Sequence, residues 1–410
     1  MRLVIITYGT EGDARPLGAL GRALMDAGHQ VRLLGAEGTL YAAKALGVAT
    51  TALAGDIRGG PDAGGEVADT VAKGGDFANT AQALARIANT NAEAWLRETV
   101  AAGQGCDAVI VSGMAAFVGL SAAEHLGVKA IGAGMIPITP TRAFASPFLP
   151  PAQVPGFLNR SSHALVNGLL WRAFRKAINA ARAEVCGLPP RREGWTSHPM
   201  LYGVSPSLLP RPDDWPANAE VCGQWAPPSP DWSPPPALEA FLAAGEPPLY
   251  FGFGSMSGFD QGRMLDAIVG ATAGRRALFY PGWSGIDPAA LPGNFFILGD
   301  TPHAWLFPRT SVVVHHAGSG TSHSAVRAGA PSVTVPFAGD QFFWADRLYS
   351  AGVAPLPVKA SRIDAGGLSR SLALAQSAAV TLRARELGVR AAAEDGLAHA
   401  VGAIERILAK

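Results

Sequence analysis

Cysteine is scarce in this 410-residue chain, with Cys106, Cys186 and Cys222 the only three. Their number is odd and none falls in a Cys-x-x-Cys or Cys/His spacing, which argues against a disulfide framework and a zinc site. A reducing cytoplasm is the simpler setting. Charge of one sign is also lacking. The formal net charge is +1, so no global field draws nucleic acid or an anionic membrane. No Asp-x-Asp occurs, and the adjacent pair Asp213–Asp214 lies among prolines, where a turn role suffices. A dedicated metal site therefore has no support in the sequence. No apolar run approaches the roughly 20 residues of a membrane span. The opening MRLVIITY reads as a core strand and not as a cleaved leader. A soluble, unprocessed protein with no transmembrane segment is expected.

What is present is a repeated alternation of strand and helix over a length that suggests two domains. In the amino-terminal half, Leu3–Thr7, Val31–Leu34, Ala108–Ser112 and Ala130–Ala133 have the short apolar character of buried parallel strands. Pro16–Ala27 places Leu17, Leu20 and Leu24 on one helical face and meets Gly28 as a stop, and Gly119–Leu126 supplies a second helix. A second set follows in the carboxyl half at Leu249–Phe253, Ala277–Tyr280, Phe295–Leu298, Ser311–Val314 and Ser332–Val335. The fold class is α/β, with two Rossmann-like, doubly wound domains. Between them, 206–236 holds ten prolines and three tryptophans and reads as an extended connector. The expected division is 1–205, connector 206–236, second domain 237–383, and a terminal helix in 384–410. Gly55–Gly75, rich in glycine and acid, reads as a mobile surface loop before a long amphipathic helix through Leu96. Pro137–Pro155, with Phe144, Phe148 and Leu149, and the Gly55–Gly75 loop are candidate walls of a substrate pocket.

The segment SVVVHHAGSGTSHSAVRAGAPSVTVPFAGDQ, Ser311–Gln341, reads as strand, glycine-rich turn, helix, strand and polar loop. Gly318 and Gly320 permit close backbone approach, while Ser319 and Thr321 offer hydroxyls or a cap. The free N–H groups of the following helix suit a diphosphate. A helix terminus contributes only about 0.3–1 kcal/mol to a nearby charge, and micromolar binding needs roughly 8 kcal/mol. Other groups must hold the rest of the ligand. Asp340 and Gln341 follow the next strand on the same sheet edge and suit sugar hydroxyls, so a nucleotide sugar fits the pair of sites. Gly254 and Ser255 end another strand, where N–H groups and a hydroxyl can stabilise a departing phosphate. An ordinary strand-to-helix turn would use the same residues. Trp283 and His303 fall in loops after strands, placed to meet a nucleobase or ribose, with packing as their bland reading.

The pattern of two His, the Gly/Ser/Thr turn, RAGAP, VPF, GDQ and FWADR (Phe343–Arg347) resembles the donor signature of inverting GT-B glycosyltransferases of family 1. The similarity is to the branch of sterol 3β-glucosyltransferases and antibiotic-aglycone glycosyltransferases. It extends to Ser207–Trp225, Pro248–Met256, Thr301–Phe307 and the amino-terminal GTEGDARP of Gly9–Pro16, and is weak between about Asp56 and Asn91. The resemblance implies a GT-B arrangement of two Rossmann-like domains facing a central cleft, with the terminal helix packing back on the first domain. It further implies that His316 contacts the diphosphate and that Asp340 and Gln341 hold the donor sugar. Asp13 becomes the general base, although an Asp before a helix with Pro in its first turn also makes a good N-cap. Where many relatives carry a Glu for the ribose, this chain has Ser324, which leaves the choice between UDP- and TDP-sugar donors open.

The expected activity is inverting, metal-independent transfer of a hexose, with glucose foremost, from a nucleotide diphosphate sugar to a hydroxyl of an apolar acceptor such as a sterol or polycyclic natural product. The nucleotide sugar is a co-substrate, and no cofactor is expected. A nucleotide-sugar 2-epimerase and a catalytically silent nucleotide-binding partner are the alternatives. The basic stretch Trp171–Arg182, with Arg172, Arg175, Lys176 and Arg182, reads as a solvated helix face, with transient contact to a membrane surface as its other reading.

Overall fold

The computed structural model of the chain describes residues 1–55, 77–227, 232–254, 256, 259–282 and 284–410, with backbone alone for 77–85 and 152. The amino-terminal part runs through β1 (Arg2–Ile6), α1 (Glu11–Asp26), β2 (Gln30–Ala36), α2 (Tyr41–Ala45), β3 (Ala49–Leu53), α3 (Phe77–Ala102), β4 (Ala108–Val111), α4 (Ala116–Leu126), β5 (Lys129–Gly134), α5 (Asn159–Cys186), β6 (Met200–Tyr202) and β7 (Ala219–Val221). The carboxyl part continues with α6 (Pro236–Ala243), β8 (Leu249–Gly252), α7 (Gln261–Thr272), β9 (Ala277–Tyr280), β10 (Phe295–Ile297), α8 (His303–Leu306), β11 (Val312–His315), α9 (Ser319–Arg327), β12 (Ser332–Thr334) and α10 (Gln341–Ser350). Three helices close the chain, α11 (Ala365–Ala375), α12 (Ala378–Ala392) and α13 (Gly396–Leu408).

Two parallel sheets result, in the orders β3-β2-β1-β4-β5-β6-β7 and β10-β9-β8-β11-β12. Both reverse direction of winding at one point, between β1 and β4 in the first and between β8 and β11 in the second. Beyond the carboxyl ends of the strands at such a reversal the connecting helices diverge and leave a crevice, which is where doubly wound folds take ligands. The strands at these points, such as AVIV of β4 and VVVH of β11, are buried throughout, as a sheet covered on both faces requires.

Two expected boundaries are corrected. The proline-rich segment 206–236 is not a connector throughout, because Ala219–Val221 pairs in parallel with Met200–Tyr202 as the outermost strand of the first sheet. A three-residue strand flanked by prolines carries too few residues to display a period. The terminal helix expected in 384–410 is two helices broken at 393–395, where the Asp395 carboxylate accepts from the Ala398 N–H at 3.0 Å and caps α13. Leu387 and Ala391 of α12 pack in the cluster that joins Phe343 and Trp344 to Tyr202 and Trp215, which is the seam between domains. Ala400, Val401, Ala403 and Ile404 of α13 instead enter the first-domain core with Leu17, Leu20 and Leu24 of α1.

Trp225 fastens this return. It is buried in the same core, its indole N–H donates to Gly396 O at 3.1 Å, and its ring lies where a side chain at Gly203 would sit, 2.6 Å from a Cβ there. Trp225→Ala should cost about 3–5 kcal/mol, as large-to-small changes of buried aromatics do. Urea unfolding would check this, and a loss below about 1 kcal/mol would mean that α13 holds without it.

Candidate active site in the interdomain cleft

The first-domain wall is the turn from β1 into α1. Thr10, in extended conformation, is the cap of α1, and Asp13 is its third residue, so Asp13 is not the N-cap itself. The Thr10 backbone N–H donates to Asp13 Oδ2 at 2.9 Å, closing a capping box that holds the carboxylate at the helix entrance. The helix begins at Glu11, five residues before the expected start, because this box secures its first turn ahead of Pro16. Among the described residues the Asp13 side chain is bonded through Oδ2, by the Thr10 N–H and hydroxyl, which leaves Oδ1 for another partner. Burial pushes its pKa up to about 6, against the lowering effect of Thr10.

The second-domain wall is built from the ends of β8 and β11. His316 follows β11, and Ala317 takes the left-handed conformation at φ 63°, which turns the chain into α9. That geometry costs a non-glycine residue about 1–2 kcal/mol. Gly318 is the N-cap of α9, and Ser319, Gly320 and Thr321 are its first three helical residues. The sequence places these three in a turn. The structure winds them into the helix, so their backbone N–H groups are its unsatisfied donors. The His316 ring is wedged between two glycines: a Cβ at Gly254 would stand 2.9 Å from its Cε1, and one at Gly318 would stand 2.3 Å from its Nε2. Gly254 itself has φ 61°, a second reason for glycine there. Burial lowers the His316 pKa to about 4, so the ring is neutral at pH 7, and its Nδ1 is buried without a partner among the described residues. His315 is buried in the sheet, where its Nδ1 accepts the Ala317 N–H at 3.2 Å, a structural role. Ser255 and Trp283 lie outside the described residues, as does most of the Gly55–Gly75 loop.

Asp340 stands just ahead of α10 without a capping bond to its N–H groups, and its Oδ2 accepts the Trp344 indole N–H at 3.0 Å. Burial, reinforced by the charge of Asp13, raises its pKa to about 7. The two carboxylates, one from each domain, thus lie within electrostatic reach of each other. Gln341 is less available than its residue type suggests. Its Oε1 accepts the N–H groups of Phe337 and Ala338 at 2.8 and 3.2 Å, and its Nε2 lies 3.0 Å from Met256 Sδ. These bonds hold the loop that carries Asp340. His303 opens α8 stacked on Phe307, with ring centroids 4.2 Å apart, and its pKa falls to about 4 through burial and then the Arg15 charge. Phe144 is corrected as a pocket wall: it is buried in the seam, 5.1 Å from the Phe343 ring, whereas Phe148 and Leu149 stay partly exposed.

The profile of the erythromycin biosynthesis protein CIII-like C-terminal domain matches residues 278–401. O-mycaminosyltylonolide 6-deoxyallosyltransferase of Streptomyces fradiae is 35% identical over 99% of this chain and 97% of its own length. Sterol 3-beta-glucosyltransferase UGT80B1 of Arabidopsis thaliana is 31% identical over 100% of this chain and 68% of its own. The chain belongs to the family of antibiotic and sterol glycosyltransferases. Its fold agrees: the solved glycosyltransferase VinC, in complex with dTDP, superposes with a TM-score of 0.68 at 18% identity over 100% of both chains. The kitacinnamycin glycosyltransferase does so at 0.71 and 18% identity, over 99% of each. This is the GT-B architecture.

Sequence reading missed several residues of the glycosyltransferase cleft because each acts across the domain boundary. Arg15 of α1 pairs with Asp300, in the loop after β10, at 3.1 Å, and also bonds the Tyr41 hydroxyl. Asp300 is largely exposed, so the pair contributes at most about 1 kcal/mol and can open as the domains move. Gln224 donates to the Ser324 hydroxyl at 2.9 Å and to Gly320 O at 3.3 Å, while its Oε1 is buried without a partner among the described residues. Only the single cation Arg15 in Gly9–Pro16 and the single anion Asp300 in 299–302 hinted at the first contact.

Proposed function

We propose that this glycosyltransferase moves a hexose from a nucleotide diphosphate donor to a hydroxyl of an apolar acceptor, inverting the anomeric centre without a metal ion. The carrying observation is that Asp13 and Asp340, one carboxylate from each domain, lie within electrostatic reach in the cleft that Arg15–Asp300 and Gln224–Ser324 bridge. Asp13 accepts the proton of the acceptor hydroxyl as that oxygen attacks the anomeric carbon from the face opposite the leaving group. The bond from that carbon to the diphosphate breaks through an oxocarbenium-like transition state. Negative charge gathering on the phosphate meets the N–H groups of Ser319, Gly320 and Thr321, the His316 ring and the turn at Gly254 and Ser255. Asp340 holds sugar hydroxyls through the oxygen Trp344 leaves open, with Gln341 bracing its loop. Trp283 and His303 are assigned to the nucleobase or ribose. Phe148 and Leu149 line the acceptor side.

The sterol glucosyltransferase and the O-mycaminosyltylonolide 6-deoxyallosyltransferase among its relatives support both a sterol and a mycaminosyltylonolide-like acceptor, and both glucose and a 6-deoxyhexose. Glucose is the first donor to try, as UDP and TDP forms, since Ser324 leaves the ribose unspecified. Three free thiols, two of them buried, suit a cytoplasmic setting, and among the described residues no helix is long and apolar enough to cross a membrane.

The test is incubation of the chain with UDP-glucose or TDP-glucose, EDTA and a panel of sterol and polycyclic alcohols, with product linkage read by NMR coupling. A β-glycoside from the α-linked donor is expected. Sugar left on its nucleotide with altered C2 would make the protein an epimerase. Nucleotide binding with no turnover on any alcohol would favour a silent binding partner.

A further inference from the structure

Helix α5 is amphipathic twice over. Its inner face buries Val166, Trp171, Phe174, Ile178 and Ala181. The opposite face carries Leu165 (60% exposed) and Leu169 (47%), and the turn just before the helix exposes Phe157 (86%) and Leu158 (41%). Leu165, Leu169, Arg172 and Lys176 are spaced four, three and four residues apart, so they form one stripe along the helix. Leucines occupy its first half and cations its second. Arg175 flanks the stripe, and no carboxylate occurs between Phe157 and Ala183. Arg172, Arg175 and Lys176 are exposed and make no ion pair with any described residue. Arg182, grouped with them in the sequence, does not belong here: it is buried and paired with Glu124 at 2.9 Å.

A solvated face has no need of four exposed large apolar side chains, since water charges for each of them. Apolar residues bounded by unpaired cations, on a helix that does not cross a membrane, are the makings of an interfacial helix on anionic lipid. The amino end of α5 is also tied to the acceptor side of the cleft. Asn159 donates to Arg142 O at 2.9 Å, His163 bonds Phe144 O at 3.1 Å, and Ser162 accepts from the Ser146 N–H at 2.8 Å.

We propose that the outer face of α5 as far as Lys176, with Phe157 and Leu158 just ahead of it, docks the protein on the surface of an anionic phospholipid bilayer, with the apolar side chains in the acyl boundary and the cations among the headgroups. The purpose of this docking, bringing an apolar acceptor from the bilayer to the cleft, rests on the acceptor reading above, whereas lipid binding itself is read without an acceptor.

Sedimentation with vesicles of phosphatidylcholine, alone or with a third phosphatidylserine, tests the proposal on the full chain. Wild type should partition onto the anionic vesicles at least about 10-fold better than onto neutral ones, and lose this as salt rises. Arg172→Glu/Arg175→Glu/Lys176→Glu should lower partitioning roughly 100-fold, and Leu165→Glu/Leu169→Glu at least about 10-fold. All changed positions are exposed, and unaltered calorimetric binding of UDP or TDP by each variant would show that the fold is intact. Equal partitioning of wild type and variants, or no preference for anionic lipid, would overturn the docking face. So would a concentration-dependent dimer lost in the leucine variant without lipid binding, which would make a second copy the occupant. Lipid binding without turnover of any vesicle-embedded alcohol would uphold the face and count against the acceptor reading alone.

Discussion

Asp13→Asn should lower kcat by roughly 100- to 10,000-fold, the range expected for removing a general base, while leaving UDP or TDP affinity unchanged. Asparagine keeps the oxygen that accepts the Thr10 N–H, so the capping box and the start of α1 survive. What disappears is the ability to take a proton. Wild-type kcat/KM should accordingly rise with pH through about 6, where Asp13 loses its proton, and level off above the titration of Asp340 near 7. Stability gives an independent readout of opposite sign. The folded pKa of Asp13 lies above the ordinary carboxylate value, so the folded state holds its proton more tightly, and stability falls as pH rises from about 4 to about 6. The neutral variant is spared this loss. It should melt at a higher temperature than wild type at pH 8, with the advantage fading towards pH 4, as scanning calorimetry would show. Near wild-type turnover would reduce Asp13 to the third residue of a capping box.

His316→Ala should weaken UDP or TDP binding roughly 10- to 100-fold, the loss of one hydrogen bond to a charged group, measured by titration calorimetry with EDTA present. The ring is neutral at pH 7 because burial holds its pKa near 4, so it offers a phosphate a single N–H and no full charge. Wild-type nucleotide affinity should therefore not strengthen until pH falls towards that value. Gly318→Ala makes a second test, because its Cβ would stand 2.3 Å from His316 Nε2 and must displace the ring. Its effect should run in the same direction. Unchanged affinity in both variants would return the glycine-rich turn to a structural role.

Local chemistry carried much of the architecture into the sequence. Runs such as Val312–Val314 and Ala108–Val111 show their burial without a partner in view, because a strand covered on both faces must be apolar at every position. Gly28, at φ 86°, marks the end of α1 for a reason internal to one residue. Elements with no local signature were illegible: β7 is three residues among prolines, and the break between α12 and α13 turns on a single capping Asp395.

By itself, then, the sequence determined two doubly wound sheets, a helix entrance suited to phosphate and the polar pair at Asp340, since each follows from residues close in the chain, while the family resemblance it carries singled out Asp13 and His316. Only the tertiary structure decided what those candidates meet. It brought Asp13 within electrostatic reach of Asp340, bridged Arg15 to Asp300 and Gln224 to Ser324, bonded Gln341 to its own loop, sent Phe144 into the domain seam and left the leucines of α5 exposed. Each of these contacts joins positions far apart in the chain, where no period or turn preference operates and where burial depends on which surfaces the two sheets present to one another.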